Sequence, residues 1–258
     1  VDAMERLDVS EIVKVLGSGP CSTDACPNTG RRVLLFGSLE VVEPCVSCQQ
    51  AAAAERDDEE RAERLAARLR GAGSTPLYLD WTLESFAATR TDEAALAFAW
   101  EWIDRYVAGE RINAFIYGPQ GGGKTGLAWS MIRHLVTEGD VGCKIATWRE
   151  ALDVMRDSFR HSEPSRQMER LRAVPVLVLD DVGSERPTDF ARSELLSLVD
   201  RRMLNKRPTI ITSNFDQNSL ADRLGHDDSI IGRRIVSRMC GGGTMQLHLD
   251  VPDRRLAA

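Results

Sequence analysis

Two short segments hold the residue types that handle a nucleoside triphosphate: GPQGGGKT, Gly118 to Thr125, and VPVLVLDD, ending at Asp180 and Asp181. The first fits G-x-x-x-x-G-K-[ST] at every fixed position. Its glycines allow a tight turn whose amides face inward. Those amides and the start of the following helix can cradle phosphate oxygens. The ATP loop would comprise Gly118, Pro119, Gln120, Gly121, Gly122 and Gly123, with Gly126 just inside the helix. Lys124 would reach the β- and γ-phosphates, and Thr125 would offer its hydroxyl to Mg2+. Asp180 ends a hydrophobic run and would lie near the same ion. Asp181 stands where many such enzymes carry a glutamate that prepares a water for attack. Aspartate keeps the carboxylate but is shorter by one methylene, about 1.5 Å of reach. A 1 Å misplacement can cost about a hundredfold in rate. Two outcomes stay open: hydrolysis that is slow or gated, and ATP held as a structural ligand.

TIITSN ends a further hydrophobic run at Asn214. Asn214 can orient the attacking water or touch the γ-phosphate. It can also cap the helix that begins in QNSLADRL, although Asp216 or Asn218 would serve as well. The cysteines form a second constellation. Cys21-x4-Cys26 and Cys45-x2-Cys48 are two close pairs with RRVLLFG between them. Thiolate pairs from two turns can complete a tetrahedral Zn2+ site, and zinc could supply folding energy to a module too small for a core. An iron–sulfur cluster and unconnected thiols are the alternatives. Cys143 and Cys240 read as isolated core residues.

The elements that must position these groups follow from hydrophobic patterning. INAFIYG, GCKIAT, VPVLVLDD, RPTIITSN and TMQLHLD read as five strands. Between them KTGLAWSMIRHLVTEG, REALDVMRDSFRH, TDFARSELLSLVDRRMLNK, NSLADRLG and DSIIGRRIVSRM read as helices. VPVLVLDD is apolar on both faces, as in a covered parallel sheet. Strands alternating with helices predict an α/β fold, a three-layer sandwich around a mostly parallel five-stranded sheet. Three regions separate: a cysteine-rich module at 1–50, a helical linker at 51–76 and an ATPase domain at 77–258. AAAAERDDEERAERLAARLR in the linker has high helix propensity and a narrow stripe of Ala62, Leu65, Ala66 and Leu69, so it should be largely solvated. Trp81 and Phe86 are expected to pack beneath the domain. Trp100 and Trp102 cannot share a helix face, so at least one should be exposed.

The bulk numbers agree. In 258 residues, 43% are hydrophobic and 28% charged, with a net charge of -6, so a strongly basic nucleic-acid binder is not indicated. No apolar run could cross a membrane, and the first residues do not read as a signal peptide. A cytoplasmic protein without membrane contact is the expectation.

The segment from Asn113 to Met239 resembles the AAA+ ATPase module of bacterial and phage replicative helicase loaders of the DnaC/DnaI type, and the related transposition ATPase IstB. NAFIYGPQGGGKT, IATWREALDVMRDSFRHSE, VPVLVLDDVGSERPTDFARSELLSLVDRR, KRPTIITSNF, LADRLG and IIGRRIVSRM carry the resemblance, over about half of the chain. It implies a P-loop AAA+ core of the ASCE class without a C-terminal lid. Lys124 and Thr125 match the Walker A pair, and Asp180 matches the Walker B magnesium ligand. Asp181 falls at the catalytic acid, and Asn214 matches sensor I. Arg238 matches the arginine finger and Arg234 a second arginine of the same box. In this family the finger reaches a neighbour's nucleotide, which implies self-association. Read from spacing alone, Arg234 and Arg238 lie one helical turn apart and share a face.

MRDSFRHSEPSRQMERLR resembles the helical insertion that lines a single-stranded DNA path in loaders. It contains Arg156, Arg160, Arg166, Arg170 and Arg172, with Phe159 as its only aromatic. Cysteine-rich amino-terminal domains of loaders contact the helicase, whereas the transposition ATPases characteristically lack them. The resemblance therefore implies an ATPase that binds a hexameric, DnaB-type replicative helicase and delivers it onto single-stranded DNA. The transposition regulator and the non-hydrolysing adaptor are the alternatives.

Overall fold

Side-chain alternation along three strands builds the centre of the molecule. In the computed structural model, which describes residues 31–36, 39–78, 80–89, 93–160, 166–226 and 228–250, the strands are β3 (Ala114–Tyr117), β4 (Cys143–Thr147), β5 (Val176–Asp180), β6 (Thr209–Ser213) and β7 (Met245–His248). They form one sheet in the order β4-β5-β6-β3-β7. Every pairing within it is parallel. A parallel sheet is stable only when both faces are covered. Phe115, Leu177, Leu179 and Ile211 join a core on one face with α5 (Trp148–Arg160), α6 (Arg166–Ala173), α7 (Asp189–Leu204), α8 (Gln217–Gly225) and α9 (Ser229–Cys240). The intervening residues Ala114, Ile116, Val176, Val178 and Ile210 are buried as well, and alternation turns them to the opposite face. There they meet α4 (Lys124–Thr137), with α2 (Leu83–Thr89) and α3 (Glu93–Val107) packed beside it. This is the three-layer α/β sandwich the sequence predicts.

The same alternation aims the polar side chains. Asp180 follows Val176 and Val178 in phase, and Thr212 and Asn214 follow Ile210. All three thus point to the face on which α4 begins. The strand order matters equally. Because β6 lies between β3 and β5, its end separates the phosphate loop from the paired acids. Any side chain there can touch both.

Three tryptophans are buried completely, and each finds a carbonyl for its indole N–H. Trp102 donates to Ile112 at 3.1 Å, Trp129 to Tyr78 at 2.8 Å and Trp148 to Glu185 at 2.8 Å. Trp100, two residues from Trp102, stays on the surface against His134. Phe86 is buried as expected, and so are Cys143 and Cys240. Burial pushes both of these thiols up to about 12.

By their contacts, residues 1–66 and 67–258 form two units. In the first, β1 (Arg31–Phe36) pairs antiparallel with β2 (Leu39–Pro44), in register from Arg31↔Pro44 to Phe36↔Leu39. Cys45 follows the hairpin, and α1 (Val46–Ala72) begins one residue later. α1 takes in the alanine- and arginine-rich run. Its side chains are mostly exposed, and Ala72 is its one buried residue among those described. No helix among the described residues is long and apolar enough to cross a membrane.

Candidate nucleotide site

The phosphate loop forms where β3 ends. Gly118 has φ 144°, and a Cβ on it would lie 2.1 Å from the carbonyl oxygen of Leu249. Leu249 donates its N–H to Tyr117 at 2.7 Å, so the chain beyond β7 closes against the loop, and only glycine leaves it room. Gly121 and Gly123 also take positive φ. Gly123 is the N-cap of α4 and offers no side chain, so the first amides of α4 are left for an anion.

Lys124 is 7% exposed, and its ammonium donates to Gly118 O at 2.9 Å, Pro119 O at 2.8 Å and Asn214 Oδ1 at 2.7 Å. The amide of Asn214 donates in turn to Asp181 Oδ1 at 2.7 Å. Lys124, Asn214 and Asp181 are therefore joined in series. Capping does not compete for Asn214, because Asp216 caps α8 by accepting from Asn218 and Ser219, both at 2.9 Å.

Beside this chain, Thr125 donates its hydroxyl to Asp180, at 2.8 Å from Oδ1 and 3.1 Å from Oδ2. Burial pushes the Asp180 carboxyl above the usual aspartate range, and Asp181 adds to the rise. The hydroxyls of Thr212 and Thr125 and the charge of Lys124 oppose it. A hydroxyl and a buried carboxylate next to a phosphate loop are hard oxygen donors, the kind that suit Mg2+. A cation there would keep Asp180 ionised. These residues fit Mg2+ and a triphosphate.

Asp181 takes φ 58°, a left-handed conformation uncommon for residues other than glycine and best tolerated by asparagine and aspartate. Two contacts hold it there: its N–H donates to Thr212 Oγ1 at 2.8 Å, and its carboxylate receives Asn214. Thr212 also donates to Asp180 Oδ1 at 2.6 Å. In the sequence Thr212 reads as an ordinary β-branched strand residue; its signal is its place two residues before Asn214, on the same strand face. Arg223 carries no such local signal. It donates to Gly183 O and to Ser184 O, the latter at 3.0 Å, and lies over the ring of Phe215. It thereby fixes the turn that follows Asp181.

The loop, the acids and Asn214 form one end of a cleft of about 860 Å3, which Trp81, Thr82, Ser85 and Phe86 continue. Trp129 on α4 holds Tyr78, which packs against Trp81 with ring centroids 5.1 Å apart. Trp81 then lies over Gly126, where a Cβ would meet its ring at 3.3 Å. A volume of this size suits a nucleotide, with an aromatic end for the base.

The arginines lie elsewhere. Arg238 donates from Nε to Asp200 on α7 at 2.6 Å. Its backbone lies by Asn113, just before β3, whereas the phosphate loop follows the other end of that strand. Four strand residues span about 13 Å, so Arg238 does not reach its own phosphate loop. Arg234 is exposed and has no hydrogen-bond or ion-pair partner among the described residues.

Of the arginines in the expected insertion, Arg172 is buried and committed to Glu169 at 2.9 Å and Glu194 at 3.1 Å, so it does not belong to an open basic path. Arg156 pairs with Asp153, whereas Arg166 and Arg170 stand exposed on α6. The side chains of Phe159 and Arg160 lie outside those described, as do Cys21 and Cys26. Cys45 is buried just ahead of α1, and Cys48 lies in its first turn. No group of three or more metal-ligating side chains occurs among the described residues.

A family model described as IstB-like ATP binding protein matches residues 54–240. The replicative helicase loader DnaC of Escherichia coli (strain K12) is 26% identical over 200 residues, 76% of this chain and 77% of its own length. The replicative helicase loader DnaI of Bacillus subtilis (strain 168) is 26% identical over 137 residues, 51% of this chain and 44% of its own. A crystal structure of DnaI superposes with a TM-score of 0.59 at 23% identity, over 69% of this chain and 95% of that one, which speaks for the fold. The match takes in every element that builds the cleft, and the chain belongs to the family of IstB-like ATP-binding proteins.

Proposed function

We propose that the chain is an ATP-hydrolysing helicase loader, which binds a hexameric replicative DNA helicase and delivers it onto single-stranded DNA. The observation that carries this reading is the similarity to the loader DnaC over 76% of the chain. Bound Mg2+·ATP would supply the γ-phosphoryl group and the cation that neutralises its charge. Lys124 exchanges its two carbonyl partners and Asn214 for phosphate oxygens. Thr125 and Asp180 would hold the cation, and Trp81 would cover the base. Asn214, relieved of Lys124, positions a water with its amide, while Asp181 takes the proton of that water. Arg238 leaves Asp200 and completes the site of a neighbouring copy, so the active form is an assembly. Arg234, on the same helix and unpaired, supports that contact.

The exposed Arg166 and Arg170 on α6 offer charge to a single strand. Cys21, Cys26, Cys45 and Cys48 hold a structural zinc. Support comes from Cys45 and Cys48, which lie three residues apart across a helix start, and from the hairpin β1–β2 between the two cysteine pairs. Residues 1–50 would then present the surface that meets the helicase, residues 51–76 would link, and 77–258 would carry the ATPase.

The test is co-purification with the replicative helicase of the same host under ATP, read for complex and stoichiometry. Absence of a complex sinks the loader. The name of the matched family favours a second reading, an ATPase that regulates transposition. That protein would coat duplex DNA and recruit a transposase without a helicase. A nucleotide-stabilised adaptor would release no phosphate above a Lys124→Ala control.

A further inference from the structure

Thr212 carries no role in the phosphate-binding motif or in the paired acids, yet it touches both acids. It is 1% exposed, and its hydroxyl makes two hydrogen bonds, to Asp180 Oδ1 at 2.6 Å and from Asp181 N at 2.8 Å. The direction of each is forced. A backbone N–H can only donate, so Thr212 accepts from Asp181. Its single proton then goes to the carboxylate of Asp180. The hydroxyl cannot rotate without breaking one bond or the other, and β-branching already restricts χ1. Asp180 has a second hydroxyl partner in Thr125, but that oxygen is the one a cation would share. Thr212 is the hydroxyl on Asp180 with no duty toward the cation.

We infer that Thr212 is a positioning residue of the cation site: it fixes the Asp180 carboxylate and pins Asp181 in its left-handed turn. The inference rests on the reading of Asp180 as a cation ligand and names the group that sets its orientation. Asn214 cannot substitute, because its amide reaches Asp181 through the side chain and does not touch Asp180. Thr212→Val keeps the shape and removes the hydroxyl. It leaves a carboxylate short of one donor and the N–H of Asp181 without an acceptor.

The test uses the full chain and a fluorescent, non-hydrolysable ATP analogue, titrated with Mg2+. The wild-type chain should bind the analogue more tightly as Mg2+ rises. Thr212→Val should raise the Mg2+ concentration for half-maximal effect about tenfold, the scale of a lost hydrogen bond to a charged group. Its affinity for the analogue without Mg2+ should stay within about twofold of wild type, because the phosphate loop is untouched. Thr212→Ser should restore most of the Mg2+ response. If circular dichroism shows Thr212→Val unfolded, Thr212→Ala is compared with Thr212→Ser in the same way. A Mg2+ response unchanged in the variant without the hydroxyl overturns the inference. So does equal weakening with and without Mg2+, which would mark Thr212 as packing alone. A wild-type chain indifferent to Mg2+ overturns the cation site itself, and that result is read before any variant is made.

Discussion

Asp181 combines two features that pull against each other in a hydrolytic site. Its side chain is short, and its backbone is left-handed at φ 58°. Such backbone costs about 1–3 kcal/mol and persists only where neighbours over-determine it. Here the neighbours are Thr212 and Asn214, both from the strand that separates the acids from the phosphate loop. The turn therefore does more than end a strand: it aims a carboxylate into the cleft beside the lysine partner Asn214. Asp181→Asn keeps the size and the tolerance for positive φ but removes the base. Phosphate release should fall by about a hundredfold or more, while binding of the Mg2+–nucleotide stays near wild type. Single-turnover release of labelled phosphate, measured with a binding isotherm, checks both. Loss of binding would show Asp181 to be structural. Two other residues make a contrasting case. Burial lifts the thiols of Cys143 and Cys240 to about 12, so both stay protonated through neutral pH. Iodoacetamide at pH 8 should modify neither until the chain is unfolded, and would do so quickly in denaturant. Peptide mapping by mass spectrometry reads this directly.

At the scale of elements, α7 connects features that are far apart in sequence. Its Asp200 holds Arg238 on α9, and its Glu194 holds Arg172 on α6. Its Arg202, 1% exposed, donates to Leu171 O, Val174 O, Pro208 O and Thr209 Oγ1 at 2.7–3.0 Å. Burial pushes this guanidinium down to about 9, and the ring of acceptors supports its charge where no carboxylate does. Arg238 in this arrangement is parked on Asp200 of its own chain, at the end of β3 opposite the phosphate loop. In the proposed assembly, the site would be complete only between copies. Arg238→Ala should lose about a thousandfold in turnover and keep nucleotide binding. Lys124→Ala should lose both. Mixed together, the two inactive variants should regain hydrolysis, because Lys124→Ala subunits still carry the finger and Arg238→Ala subunits still carry the loop. A mixture no more active than its parts would place the function of Arg238 within one chain. Much of this was legible beforehand. Each of the five strands and the five helices read from patterning stands where periodicity put it, since apolar runs and helix stops are local signals; α6 carries no such pattern and was implied only by the resemblance. The order β4-β5-β6-β3-β7 was not legible, because it depends on pairings between distant segments. The same limit hid Thr212, which reads as an ordinary strand residue until β5 is laid beside it. It also left Asn214 undecided between cap and site, and it made Arg172 look like part of an open basic path.

For the whole molecule, the division into residues 1–66 and 67–258 would separate the two kinds of metal chemistry proposed above. One would be a cation held by oxygen donors at the nucleotide and exchanged with it. The other, in the proposed zinc module, is held by thiolates and bound to folding. A hairpin of two six-residue strands has little core, and a module of this size without metal is marginal. Structural zinc in small modules contributes about 10–16 kcal/mol of binding free energy, which becomes folding free energy. The two functions should therefore fail separately. Purified chain should carry about one zinc per molecule by elemental analysis. A zinc-selective chelator should abolish capture of the replicative helicase while nucleotide affinity in Mg2+ stays unchanged. Cys26→Ser and Cys48→Ser, one from each pair, should reproduce that split without chelator. The opposite result is equally readable. If zinc is absent, or if its removal leaves helicase capture intact, the partner surface lies on the ATPase unit. The exposed Met203 and Leu204 at the end of α7 would then be the first residues to change.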